Sequence, residues 1–156
     1  MAKQPTPLRA AIIDLDGTLV DTLGDFHAAL DAMLDDLAQP RVQRQVVEGF
    51  IGKGSEHLIR SVLAHVGAPA QLYDRAWSVY QQAYRGLNGR HADVYPGVTE
   101  GIAQLRAAGL RLACLTNKPV EFARDLLRLK GLGDDFDPVF GGDSFARKKP
   151  DPLPLH

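Results

Sequence analysis

The chain has 156 residues, 45% hydrophobic and 24% charged, the makeup of an ordinary globular protein with enough apolar material for a core. Its 18 Lys and Arg nearly balance 19 Asp and Glu, and a net charge of -1 excludes a whole-molecule field favouring nucleic acid or an anionic membrane. A single cysteine, Cys114, excludes a disulfide framework and argues against a zinc cluster. No run is long enough to span a bilayer, and a reducing cytoplasm is the expected setting.

Met1 to Leu8 carries two prolines and no apolar stretch of the kind a targeting segment needs. Arg9 to Ile13 then reads as a short buried strand running into a tight loop at Asp14. From Thr22 the period changes. Phe26, Leu30, Met33, Leu34 and Leu37 recur at helical spacing, with Asp31, Asp35 and Asp36 off that stripe. A shorter helical stretch around Val42 to Phe50 ends in Gly49, Gly52 and Gly54, after which Ser55 can cap a helix carrying Leu58, Ile59, Val62 and Leu63. A third long helix is expected from Pro69 to about Leu87. The glycine-rich segment Gly86 to Gly97 has the composition of a linker or hinge.

Beyond it, Ile102 and Leu105 lie on a helix closed by Gly109, Leu110 to Leu115 is a continuous apolar strand, and Pro119 to Lys130 is a helix closed by Gly131. A short strand around Val139 and Phe140 leads to Gly141-Gly142-Asp143-Ser144 and the basic run Arg147-Lys148-Lys149. Strands alternating with helices imply a parallel sheet with right-handed crossovers. The expected fold class is α/β, with residues 1–21 and 93–156 forming the core and an all-helical insertion at 22–92 forming a cap.

Ligands of open parallel sheets bind outside the carboxyl ends of strands, where this sequence places its polar clusters: Asp14 to Thr18, Thr116-Asn117-Lys118, and Lys148-Lys149. Asp14 and Asp16 are two apart, so in extended chain their side chains leave from one face. One carboxylate can attack a phosphoryl group while the other handles protons, and Gly17 lets backbone amides approach the phosphoryl oxygens. Two carboxylates facing a phosphate require a hard cation, for which Mg2+ is the natural choice. Thr116 and Asn117 can donate to phosphoryl oxygens, and Lys149, directly before Pro150, can offset transition-state charge. Gly49 to Ser55 lacks the spacing of a nucleotide loop, and Lys53 within it is a candidate for reaching a substrate carboxylate. The five histidines show no paired metal-ligand spacing, and Cys114 reads as inert core.

Asp14-Leu15-Asp16-Gly17-Thr18-Leu19-Val20-Asp21 resembles the first signature of the haloacid dehalogenase-like (HAD) phosphatase superfamily, Leu115-Thr116-Asn117 the second, and Lys149-Pro150-Asp151-Pro152 the third. Thr116-Asn117-Lys118-Pro119 and Gly141-Gly142-Asp143-Ser144 resemble its phosphoglycolate phosphatase branch. The resemblance implies a Rossmann-like core with a C1-type cap, Asp14 as nucleophile, Asp16 as acid/base, and Mg2+ held by the Asp14 carboxylate and the Asp16 carbonyl. It implies 2-phosphoglycolate as substrate, with other small phosphoesters, a pyrophosphatase or a sugar phosphomutase as alternatives. The superfamily's fourth signature, an acidic pair completing the metal site, lies beyond the third, and the chain ends at His156. The expectation is therefore an incomplete HAD-like core, and a catalytically dead fragment is the competing reading.

Overall fold

The computed structural model describes residues 8–156; the reading of the first residues as free of a targeting signal lies mostly outside them. Strand β1 (Ala10–Ile13) leads through the Asp14 loop to a two-residue strand β2 (Val20–Asp21). Four helices follow: α1 (Leu23–Asp36), α2 (Arg44–Glu48), α3 (Ser55–His65) and α4 (Tyr73–Leu87). The chain returns through β3 (Asp93–Val94) to α5 (Val98–Ala107), β4 (Arg111–Leu115), α6 (Val120–Leu129) and β5 (Val139–Phe140). Three strands form a parallel sheet in the order β1-β4-β5, with Ile13 opposite Cys114 and Leu115 opposite Phe140. The architecture is α/β, with a parallel sheet and a helical insertion after its first strand.

Two details differ from the sequence pattern. Pro69 adopts an extended backbone and starts a single 3-10 turn, Ala70–Leu72, so α4 begins only at Tyr73. The Gly86 to Gly97 segment is not all linker: Val94 and Asp93 pair antiparallel with Val20 and Asp21. A two-residue ladder is too short to leave an alternation in the sequence, yet it fixes the entry and exit of the insertion side by side.

Apolar residues sort into two clusters. The first joins the stripe of α1 (Phe26, Leu30, Met33, Leu34) to Ile59 and Val62 of α3, Tyr80 and Tyr84 of α4, and Phe122 of α6. The second packs Leu15, Val20, Leu112 and Cys114 against Ala123, Leu126 and Leu127 of α6. Full burial of each large side chain is worth about 1.5–3 kcal/mol. That outweighs the absence of a side-chain cap bond from Thr22 at the start of α1, a loss of roughly 1 kcal/mol. Tyr84 stacks on Phe26 at 5.5 Å and meets Phe122 edge-on at 5.2 Å, so an aromatic group seals the boundary between the clusters. Gly131, at φ 74°, takes the left-handed conformation that stops α6.

Asp25, fully buried in the first turn of α1, accepts the main-chain N–H groups of Gly89 and His91, each at 2.6 Å. One carboxylate thus ties the start of the insertion to its end. Strand β1 has a neighbour on one side only among the described residues, and side chains alternate across it: Ala11 and Ile13 join the second cluster, while Ile12 is 56% exposed.

Candidate active site

The three polar clusters meet at the carboxyl ends of the parallel strands, under the α3 and α4 side of the insertion. A narrow cleft of about 30 Å³ is lined there by Asp14, Asp16, Phe26, Tyr84, Thr116 and Lys118, among others. By the usual measure the enclosed part of this cleft holds a couple of waters.

The Asp14 loop is shaped by its own backbone. Gly17, at φ 75°, donates its N–H to Val20 O, while Thr18, Leu19 and Val20 all donate to Leu15 O. Gly17 makes the tight turn possible, but its own amide is consumed within the loop and does not face the cleft. Asp14 Oδ1 accepts the Leu15 N–H at 2.8 Å and lies 3.0 Å from Lys149 Nζ. The same ammonium donates to Leu115 O at 2.8 Å, which anchors it at the end of β4. Asp14 Oδ2 has no such engagement among the described residues.

Asp16 is nearly buried, and its Oδ1 lies 2.9 Å from Lys118 Nζ. The contact is an ion pair without hydrogen-bond alignment, so Oδ1 remains an acceptor with no aligned donor. Lys118 is itself buried. Its ammonium donates to Tyr84 Oη at 2.6 Å and sits over the rings of Phe26, at 4.5 Å, and Tyr84, at 4.9 Å. Tyr84 in turn donates to Asn88 Oδ1 at 3.2 Å, and Asn88 Nδ2 donates to Phe122 O at 3.0 Å. Burial, reinforced by Asp16 and Asp25, pushes the Tyr84 phenol well above its ordinary pKa, so it stays protonated.

Thr116 Oγ1 accepts the Lys118 N–H at 3.2 Å, which leaves the hydroxyl proton available to donate. Asn117 behaves differently from the sequence expectation. Both protons of its Nδ2 are taken, by Gly52 O and by Lys149 O at 2.9 Å each, so the side chain stitches the insertion to the loop behind Lys149 and offers no side-chain donor to a phosphate. Lys53 is exposed and does not line the cleft; its neighbours Gly52 and Gly54 do. The Gly141 to Ser144 loop buttresses the second cluster from behind, with Gly142 N–H donating to Lys118 O and Asp143 accepting the Val120 N–H, both at 2.9 Å. Cys114 is buried beneath both aspartates, and its thiol is pushed up to about 12, first by burial and then by those carboxylates.

Sequence reasoning placed Lys118 in the second polar cluster but gave it no role, and it missed Tyr84 altogether. The signal for Lys118 was present: in extended chain it shares a side with Thr116, two residues earlier. Nothing local marks Tyr84, which reads as one more apolar position of an amphipathic helix.

Among the described residues no group of three or more His, Cys, Asp or Glu side chains is placed to hold a metal. Asp14 and Asp16 nonetheless suit magnesium, which is commonly bound through one or two carboxylates while keeping water and substrate phosphate in its shell. The Asp14 carboxylate and the Asp16 main-chain carbonyl, which accepts no N–H from the other described loop residues, are hard oxygen donors of the required type.

Residues 8–156 match the family model of haloacid dehalogenase-like hydrolases. The chain is 44% identical over 154 residues to a phosphoglycolate phosphatase of Nitrosospira multiformis, covering 97% of this chain and 68% of the relative. It is 45% identical over 160 residues to a plasmid-borne phosphoglycolate phosphatase of Cupriavidus necator, covering 99% of this chain and 68% of the relative. The crystal structure of a predicted phosphoglycolate phosphatase from Haemophilus somnus superposes with a TM-score of 0.90 at 27% identity, covering 95% of this chain and 68% of that one. No helix among the described residues is long and apolar enough to cross a membrane.

Proposed function

Given that this chain belongs to the haloacid dehalogenase-like hydrolases, we propose that it carries the catalytic aspartates of a phosphatase acting on 2-phosphoglycolate, yielding glycolate and phosphate. The observation that carries this is the unequal treatment of two carboxylates in one cleft. Asp14 is oriented through Oδ1 by Lys149 and a main-chain amide, whereas Asp16 is held in a buried pocket with an unaligned oxygen. Relatives named phosphoglycolate phosphatase, at 44% and 45% identity, support that substrate.

In this reading Asp14 Oδ2 attacks phosphorus, the P–O bond to the alcohol breaks, and Asp16 gives its proton to the departing oxygen. Asp16 then takes a proton from the water whose oxygen attacks phosphorus as the Asp14 O–P bond breaks. Lys149 and the Thr116 hydroxyl offset charge on the phosphoryl oxygens throughout. Gly17 shapes the loop, and Asn117 holds the neighbouring chain in register. Magnesium, held by Asp14 and Asp16, would neutralise the charge gathered on the phosphoryl group. Residues 22–92 act as the cap over a core of 1–21 and 93–156, a division that the two apolar clusters support. A lone buried thiol and balanced charge fit a cytoplasmic enzyme with a small-molecule substrate.

Phosphate release from 2-phosphoglycolate tests the proposal. Asp14→Asn is expected to abolish turnover, and Asp16→Asn to slow alkyl esters far more than an aryl ester whose leaving group needs no proton. Chelation should stop the reaction and added Mg2+ restore it. Near-normal turnover by Asp14→Asn would remove the nucleophile assignment, and equal loss on both ester types the acid/base role.

A further inference from the structure

A buried ammonium is costly unless every proton finds a partner, and a lysine ammonium has three. Lys118 Nζ has two polar contacts among the described residues: Tyr84 Oη at 2.6 Å and Asp16 Oδ1 at 2.9 Å. Its side chain is 2% exposed, so bulk water does not supply the third, and the residue lines the cleft. At least one N–H of this buried cation therefore has no partner among the described residues where it borders the ligand cavity. The rings of Phe26 and Tyr84, at 4.5 and 4.9 Å, hold the ammonium in place without consuming a hydrogen bond.

The position relative to Asp16 decides what this donor meets. Whatever oxygen Asp16 protonates must approach Asp16, and hence Lys118. In 2-phosphoglycolate one methylene carbon separates that oxygen from a carboxylate. The Lys149 ammonium is already placed at Asp14, on the phosphoryl side, 3.0 Å from its carboxylate. We infer that Lys118 recognises the substrate carboxylate through its third N–H and so selects a phosphate ester bearing an acid beside the leaving oxygen. Lys53, outside the cleft, does not supply that cation. The inference rests on the phosphatase reading above and goes beyond it by assigning the acidic end of the substrate to a core residue with cap aromatics around it.

The test compares 2-phosphoglycolate with ethyl phosphate, which keeps the ester and lacks the carboxylate, and reads the ratio of their kcat/KM values. Damage common to both substrates cancels in that ratio. Lys118→Gln retains polar contact with Tyr84 and Asp16 without the charge, and is expected to reduce the ratio roughly 10- to 100-fold, as loss of a charge-assisted hydrogen bond does. Lys118→Arg should keep most of the preference. Equal slowing on both esters would show that Lys118 only holds Asp16 and would overturn the inference, as would loss of the preference in Lys53→Met instead. If the unaltered protein hydrolyses both esters with no preference, the substrate reading itself fails, a separate outcome. The 15N signal of the Lys118 ammonium in the unaltered protein gives a check independent of variant folding: it should shift with 2-phosphoglycolate and not with ethyl phosphate, and an identical response to both would refute the assignment.

Discussion

Replacing Asp25 by alanine isolates the junction that holds the helical insertion to the sheet. The carboxylate is fully buried and accepts two main-chain N–H groups, those of Gly89 and His91, at 2.6 Å each. Hydrogen bonds to a charged acceptor contribute about 1.5–3 kcal/mol each. Set against this, the wild type bears the desolvation of a carboxylate with no cationic partner among the described residues, which alanine relieves, and a water in the vacated space would recover part of one bond. The net expectation is a loss of about 2–4 kcal/mol, equivalent at this chain length to a fall in Tm of roughly 5–15 °C. Asp25→Asn should retain one bond and set its amide against the other N–H, losing at least half as much. Urea unfolding followed by circular dichroism measures the loss, and hydrogen exchange at the Gly89 and His91 amides locates it. A change below about 1 kcal/mol, or unaltered protection of those two amides, would show that the carboxylate does not clamp the junction.

Gly142→Ala would place a Cβ 2.4 Å from Asn117 O, against backbone that cannot yield; overpacking of this kind costs about 1–3 kcal/mol and should weaken substrate binding by shifting the Asn117 loop, read as a raised KM. Cys114 should resist thiol reagents at pH 8 in the native protein and react on unfolding. Because its folded thiol sits near 12 and an unfolded one near about 8.5, stability is fully present below the lower value and falls as pH rises towards the upper one. The slope is at most about 1.4 kcal/mol per pH unit; Tyr80 and Tyr84, raised by burial, add to it in the same direction at higher pH, and urea midpoints of the protein and Cys114→Ala between pH 8 and 11 check the sign. The unpaired side of β1, with Ile12 56% exposed, should make the isolated 156-residue chain self-associate and bind a hydrophobic dye; a monomer without dye binding in sedimentation would count against it.

What the sequence disclosed was what chemistry writes locally. The switch from a two-residue to a helical period at Thr22 marks the start of the insertion, and Asp14-Leu15-Asp16-Gly17 announces a reactive loop because its residues act within a few bonds of one another. Contacts closed over long separations were illegible. Lys118 meets Tyr84 across 34 positions, and Asp25 reaches Gly89 and His91 across 64 and 66. Asn117 shows the same limit from the other side: its type and place suited a phosphate donor, but only the fold reveals that Gly52 and Lys149 carbonyls occupy its amide. Lys53 looked suitable by charge and loop position, and the backbone carries it outward. The β2–β3 pair was too brief for any pattern, though the composition around it pointed to a boundary.

Phe122 belongs to α6, on the sheet side of the molecule, yet its ring is buried in the insertion's apolar cluster against Tyr84. Lifting the insertion far enough to admit a substrate would hydrate this ring together with the face of Tyr84. Apolar hydration raises heat capacity, so ligand-driven closure should show a binding enthalpy that grows more negative with temperature. Because apolar association weakens on cooling, the cleft should also stand open for a larger fraction of time in the cold. Temperature thus becomes a handle on access to Asp14 that needs no change of residue, although opening also parts Lys118 from Tyr84 and Asn117 from Gly52.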